Sequence, residues 1–381
     1  MNIQDWSVFW WSHITGAHLV VTKVVDALME NSNVIIDIPA DLPWRQVMRS
    51  VIEDEFRRKT GFSDTIIEII DAKDDVPDDM SPGAYLLQGY APNKEVRNGY
   101  RSKMSVSIQD YIKKNGVLKN RIIWIKGLSE QRSAQWLEFC SVYQCESSES
   151  GMFVLEVQGD KQKKTFPDMH TVRLLNCISS YDVQLFNSFI VEERKGLTME
   201  WKRYLATAAA NICNTDSEIS AYLLEHIAPD RQSPLDVIEE LADLPQYVAR
   251  GTDRYSAHIF AYCRSHDSKE LEQRLWKAQI KTLFPLIEME RIQIITEYYE
   301  DLQDILDNHS VEQFGEIIRD PIRLELGTLC YLMCRHSCFH DKYTRDRIDF
   351  LHQCRNHLAH AHCCNVSEVK ELLDGSIYKT Q

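Results

Sequence analysis

The sequence has no long apolar run, because charged residues interrupt its hydrophobic stretches at short intervals. A membrane-spanning helix needs about 20 consecutive, mainly apolar residues, so we expect no membrane association. The first residues, Met1 to Asp5, also lack the basic segment that begins a secretory signal peptide. These two absences predict a cytoplasmic protein.

An excess of positive charge is also missing. The chain carries 43 lysines and arginines against 57 aspartates and glutamates, for a net charge of −14 at pH 7. Affinity for nucleic acid comes mainly from clustered lysines and arginines, so this balance argues against a general nucleic-acid coat protein. It leaves room for a small local RNA site or a basic protein partner.

The 11 cysteines do not form the compact framework of a small secreted domain, so we expect free thiols in a reducing compartment. Cys330, Cys334 and Cys338 follow one another at intervals of four residues, with His336 and His340 nearby. Zinc prefers these ligand types, but structural zinc sites usually pair their cysteines as Cys-x-x-Cys. The spacing is that of one helix face, so we expect neither a metal nor a cofactor.

The length of 381 residues predicts two or three domains. We assign residues 1–180 to an α/β domain, 181–265 to a helical region and 266–381 to a helical bundle. In the first part, short runs rich in β-branched residues predict strands, with helices between several of them, an alternation typical of a parallel sheet. The predicted strands cover residues 33–39, 64–71, 121–127, 151–157 and 171–175, and an acidic stretch at 74–92 is predicted as a loop.

The order of strands and helices over residues 15–180 resembles the core of P-loop and AAA+ ATPases. Such an ATPase needs Gly-x-x-x-x-Gly-Lys-Ser/Thr after its first strand. This chain has Pro-Ala-Asp-Leu-Pro-Trp-Arg-Gln at residues 39–46, and its third strand ends at Lys126 instead of an acid for Mg²⁺. The resemblance therefore implies a degenerate ATPase-like domain that does not hydrolyse ATP. Arg45 could hold a phosphate at a helix start, although an ordinary surface arginine is the commoner role.

Residues 181–265 resemble the helical lid that follows many AAA+ cores. The remaining chain predicts four or five helices: one long helix or two over 270–307 with a break at Phe284-Pro285, then helices at 311–318, 323–334, 343–363 and 366–373.

The helix over 343–363 has two different faces. One stripe is apolar and contains Ile348, Leu351, Leu358 and Ala361, with Cys354 between them. A second stripe is polar, with His352, Asn356 and His360 at intervals of four residues and Arg355 beside them. A guanidinium can neutralise a phosphate, and an imidazole can move a proton near neutral pH. Together they could cleave RNA without a metal, through attack of a 2′-hydroxyl on the adjacent phosphorus.

The string Arg-Asn-x-x-x-His at residues 355–360, on a late helix of a bundle, resembles the active-site motif of HEPN domains. Many of these are metal-independent RNases, so the resemblance implies that Arg355, Asn356 and His360 are catalytic and that RNA is the substrate. It also implies a homodimer, or pairing with another HEPN chain, that joins two such helices. Fusions of ATPase-like and HEPN modules resemble bacterial antiphage and toxin systems, which implies a protein partner from the same system.

Two other interpretations fit the same residues. Arg355 could instead pair with a carboxylate such as Asp349 or Glu325, and the chain would then be a non-catalytic adaptor subunit. Alternatively, the predicted sheet could bind a nucleotide as a sensor without hydrolysing it.

Overall fold

A computed structural model describes residues 2–39, 42–61, 64–101, 105–143, 145, 150–158, 166–250, 258–265, 267–336, 339 and 341–375. The chain folds into two compact units, residues 1–183 and 184–381. The further division predicted at residue 265 stays a prediction. In the part of the chain just defined, no helix combines the length and the apolar character needed to cross a lipid bilayer.

The first unit is built on a five-stranded parallel sheet with the strand order β2-β3-β4-β1-β5. Its strands are β1 (Asn33–Ile38), β2 (Ile66–Asp71), β3 (Arg121–Lys126), β4 (Met152–Gln158) and β5 (Met169–Arg173). All five overlap the predicted strands, so a parallel α/β domain followed by a helical region is confirmed.

Helices cover both faces of this sheet. They are α1 (Ile3–His13), α2 (Thr15–Met29), α3 (Arg45–Lys59), α4 (Pro82–Tyr90), α5 (Lys94–Gly99), α6 (Ile108–Lys114) and α7 (Glu130–Val142). Helices α1 to α3 pack together, with α2 against β1 and β5. Buried residues of α4, α6 and α7 form a core with the opposite face of the sheet, as expected for a doubly wound fold.

Helix α4 lies inside the stretch predicted as a loop, so that prediction is wrong. The helix starts at Pro82, and the Ser81 hydroxyl accepts a hydrogen bond from the Ala84 backbone N–H. Leu86 and Leu87 are buried in the core of this face. A serine cap followed by proline is a helix-start signal, but the acidic sequence before it hides that signal.

Helix α8 (Ser180–Glu193) begins in the first unit and ends in the second, which is mainly helical. The helices that follow are α9 (Met199–Cys213), α10 (Ser217–His226), α11 (Pro234–Ala242), α12 (Pro245–Arg250), α13 (Ile259–Ser265), α14 (Ser268–Glu297), α15 (Tyr299–Asn308), α16 (Leu326–Arg335), α17 (Lys342–Ala359) and α18 (Val366–Asp374). Two short antiparallel strands, β6 (Glu312–Gln313) and β7 (Glu316–Ile317), join α15 to the segment before α16.

The hairpin of β6 and β7 replaces the helix predicted over residues 311–318, so that prediction is wrong. Its two-residue turn consists of Phe314 and Gly315, whose φ angles are +52° and +82°. Positive φ at both positions is the geometry of a tight hairpin turn and is incompatible with a right-handed helix.

The predicted break at Pro285 is also wrong, because α14 continues through this residue to Glu297. Proline cannot donate to the carbonyl four residues earlier, which belongs to Lys281. Both Lys281 and Pro285 are exposed, so water can satisfy that carbonyl. On the other side of the helix, Leu283 and Ile287 are fully buried and hold α14 in the core.

A buried ion pair joins α14 to α17. The Arg347 guanidinium donates from Nε and Nη2 to the Glu290 carboxylate at 2.7 and 2.9 Å. The two side chains are only 3% and 4% exposed. Arg347 Nη1 donates in addition to Glu371 of α18 at 2.9 Å. One guanidinium therefore holds three helices of the second unit at fixed positions.

Replacing Arg347 with methionine would keep the apolar stem and leave Glu290 buried without a cation. We expect the free energy of unfolding of the second unit to fall by about 3–5 kcal/mol, because an unpaired buried charge is strongly destabilising. Urea denaturation, with hydrogen exchange to assign the loss to α14 and α17, measures the change.

The matched control is Arg323→Met, which removes the cation of an exposed pair with Glu316. We expect it to lower the free energy of unfolding by less than about 1 kcal/mol. Similar losses for the two variants would show that burial of the Arg347 pair has no special weight.

Candidate active site

The apolar stripe predicted for α17 is confirmed as far as Leu358, but Ala361, predicted on the same stripe, lies beyond the helix end and is exposed. Ile348, Leu351, Cys354 and Leu358 are all fully buried. This face fixes the rotation of α17 about its axis. The opposite stripe, with the polar motif, therefore points away from the core.

The start of α17 is fixed by Asp341. One of its carboxylate oxygens accepts the Thr344 backbone N–H at 2.6 Å, and the other accepts the Tyr298 hydroxyl at 2.7 Å. These hydrogen bonds to the charged form, led by that from the Thr344 backbone, lower the pKa of Asp341 to about 2. The cap thus stays ionised at any physiological pH.

The end of α17 lies within the motif. The backbone N–H groups of Ala361 and His362 donate to the carbonyls of Leu358 and His357 at 3.3 and 2.8 Å. This pair of hydrogen bonds ends a helix when the residue after the cap adopts a left-handed conformation, and Ala361 has φ of +61°. His360 is the cap residue itself, so it lies just beyond the last helical turn.

Two side chains of α14 bind the same helix end. Trp276 Nε1 donates to the Leu358 carbonyl at 2.7 Å. Gln279 makes two hydrogen bonds to the backbone of Cys364, accepting its N–H at 2.7 Å and donating to its carbonyl at 2.9 Å. Side chains of α14 therefore bind the backbone both before and after His360 in the sequence.

The polar stripe contains one internal hydrogen bond. Asn356 Nδ2 donates to His352 Nε2 across 3.0 Å, which leaves the Asn356 amide oxygen available as an acceptor. The His352 ring lies beside Gly327 of α16, where a Cβ would come within 3.3 Å of Nε2. The absence of a side chain at Gly327 thus leaves room for the ring.

Arg355 pairs with Glu325, which precedes α16. Its Nη2 lies 3.1 Å from Glu325 Oε2, and the two side chains are 31% and 37% exposed. This half-exposed pair binds through a single nitrogen, so the other guanidinium N–H groups remain able to contact an anion. The pairing is also the one that the non-catalytic interpretation anticipates for Arg355.

His360 is exposed, and no hydrogen bond or ion pair joins its imidazole to another residue that the structure describes. Its position after the last turn keeps it near Asn356, one helical turn earlier. Arg355 lies about 140° away around an ideal helix axis. All three motif residues therefore reach solvent, but one copy of α17 presents them over a broad arc.

The described residues contain no group of three or more His, Cys, Asp or Glu side chains able to hold a metal. Of the cysteine and histidine cluster noted in the sequence, Cys338 and His340 lie outside those residues. Burial, together with a hydrogen bond to Asp349, raises the pKa of the Cys330 thiol to about 12.

No family model matches this chain, and no curated protein is significantly similar to it. The chemical interpretation of the site therefore depends on the geometry around α17.

Sequence reasoning named the motif residues and Glu325 but missed the groups that position them. Trp276, Gln279 and Tyr298 all lie on or at the end of α14, and their partners are 43 to 85 residues away in the chain. Their spacing on α14 carries no local signal, because each acts on a helix end that only the tertiary fold brings near.

Replacing Ala361 with glycine should stabilise the second unit by about 1 kcal/mol, because glycine adopts the left-handed conformation without the steric cost of a Cβ. The control Ala359→Gly lies in the last helical turn and should destabilise by a similar amount. Urea denaturation of the two variants measures both effects. Destabilisation by both substitutions would contradict the conformation assigned to Ala361.

Proposed function

We propose that the second unit is a metal-independent endoribonuclease of the HEPN type, with its active site at the end of α17. The observation that carries the proposal is that half-buried Arg355 and Asn356 and exposed His360 all reach solvent at the end of a helix whose other face is fully buried. A helix that served packing alone would not need a guanidinium, an amide and an imidazole around its solvent-facing end.

In this proposal, the His360 imidazole accepts the proton of the attacking 2′-hydroxyl as general base or donates a proton to the leaving oxygen as general acid. Arg355 stabilises the charge that builds on the phosphoryl oxygens by donating from its remaining N–H groups. The Asn356 amide, oriented by its hydrogen bond to His352, contacts the phosphate or the imidazole.

The active form in this proposal is a homodimer. Arg355 and His360 lie on different sides of α17, so a second copy of the helix could supply the missing group from across a cleft. Two-fold symmetry would then create two equivalent sites, each with an arginine from one chain and a histidine from the other.

The first unit, in this proposal, is an ATPase-like domain without a working P-loop that restrains or directs the nuclease. Such an arrangement suits a bacterial antiphage or toxin system, in which RNA cleavage follows a trigger supplied by a protein partner.

One observation favours the second candidate function, a non-catalytic adaptor. Arg355 has a carboxylate partner, Glu325, 3.1 Å away. In an adaptor, that pair would only join α17 to the segment before α16. In a nuclease, Glu325 would compete with the phosphate for the guanidinium.

Arg355→Ala and His360→Ala should each lower the rate of RNA cleavage about 100-fold or more, since each removes a group needed in the transition state. The measurement is single-turnover cleavage of a labelled RNA in EDTA. Glu325→Ala should leave the rate unchanged or raise it, because it frees Arg355 for the phosphate.

The matched controls are Arg345→Ala, an exposed arginine earlier on α17, and His362→Ala, an exposed imidazole two residues after His360. Neither should change the rate. If the wild-type protein leaves RNA intact at every concentration and with its partner present, the nuclease is excluded and the adaptor is favoured.

Mixing the Arg355→Ala and His360→Ala proteins tests the composite site. If each site takes its arginine and its histidine from different chains, the mixed dimer has one intact site. An equal mixture should then recover about one quarter of the wild-type activity, as two-fold symmetry requires. Recovery is absent if both groups act within one chain.

A further inference from the structure

A crevice in the first unit opens at the edge of the sheet where the parallel strands end. Ile38 and Gln158 close β1 and β4, Gly127 follows β3, and Lys73 follows β2 by two residues, and all of them line a cavity of about 420 Å³. The connections that leave the neighbouring strands β1 and β4 lead to opposite edges of the sheet. Doubly wound sheets bind their ligands in a crevice of this kind.

Three cationic side chains from separate elements line this crevice. Arg45 is the first residue of α3, Arg132 lies in the first turn of α7, and Lys73 follows β2. The lining carries these three cations against two carboxylates, Asp78 and Glu156, whereas the chain as a whole has a net charge of −14. A concave surface of positive charge attracts anions and raises their local concentration.

The negative charges of the lining are mostly neutralised. The buried Glu156 carboxylate accepts from Arg49 Nε and Nη2 at 2.5 and 2.8 Å and from Trp124 Nε1 at 2.7 Å. The negative charge of Glu156 is therefore neutralised by the Arg49 guanidinium. Asp78, the other acidic residue of the lining, forms an ion pair with Arg132.

The Asp78 carboxylate is fully exposed, whereas the Arg132 side chain is only 14% exposed. The fixed partner of Arg132 is the Ala72 backbone carbonyl, which accepts from Nη1. An exposed ion pair contributes little to stability, so another anion can displace Asp78 at small cost. Asp78 thus occupies the position that an anionic ligand would take.

We propose that this crevice binds a small phosphorylated molecule, with its phosphate or pyrophosphate group held by Arg132 and Lys73 and assisted by Arg45. Guanidinium and ammonium groups are the side chains best suited to phosphate oxygens. The cavity is within the size range of small-molecule sites and too small for a nucleic-acid duplex. This site uses side-chain cations from three elements and does not depend on the proposed nuclease.

Calorimetric titration of the full chain with pyrophosphate tests the site. Arg132→Ala and Lys73→Ala should each weaken binding at least about tenfold, since each removes a charge-assisted contact. Asp78→Asn should strengthen binding, because the competing carboxylate loses its charge. A parallel titration with ATP distinguishes a free pyrophosphate site from a nucleotide site: tighter binding of ATP identifies a nucleotide, and equal or weaker binding identifies the phosphate group alone.

The matched controls are Arg97→Ala and Lys94→Ala on α5 and Asp79→Asn beside Asp78, all of them exposed and outside the cavity lining. They should leave the affinity unchanged. Loss of fold cannot explain tighter binding by Asp78→Asn, so that variant keeps the test decisive if Arg132→Ala unfolds. The proposal is overturned if the wild type binds neither probe, or if the Lys73 and Asp78 variants bind pyrophosphate as the wild type does.

Discussion

The Arg347 guanidinium lies buried between α14 and α18, where Glu290 and Glu371 accept its hydrogen bonds. A charge in this position is tolerable only while its partners stay in place, because an unpaired buried ion is far less stable than a hydrated one. The pair therefore selects one arrangement of three helices among the many that apolar packing alone would permit. The exposed motif at the end of α17 inherits its position from this arrangement.

Much of the first unit could be predicted from sequence, since short β-branched runs such as Val34-Ile35-Ile36 favour buried strands. The order of the strands could not, because it depends on which hydrogen bonds form between distant segments. At Pro285 the local sequence predicted a helix break, and that prediction failed because buried neighbours on the same helix hold it in the core.

For the candidate site, the sequence predicted the two faces of α17 because helical periodicity is a local property. It also named Glu325 among the possible partners of Arg355. The choice between Glu325 and Asp349 required the tertiary fold, as did the position of Gly327 against His352. The cationic crevice of the first unit was only partly foreseen, through Arg45. Lys73 and Arg132 are 59 residues apart in the numbering, and only the parallel sheet brings the segments that carry them to one edge.

The contacts between α14 and α17 have a consequence for the evolution of the motif. Tyr298, Glu290 and Trp276 bind the start, the middle and the end of α17. These three contacts with α14 therefore fix the position of α17 along its own axis. A slip of one residue would shift Arg355 by about 1.5 Å along the axis and about 100° around it. Substitutions on α14, which is remote in sequence from the motif and holds no motif residue, would thus change the position and direction of the motif side chains without replacing any of them.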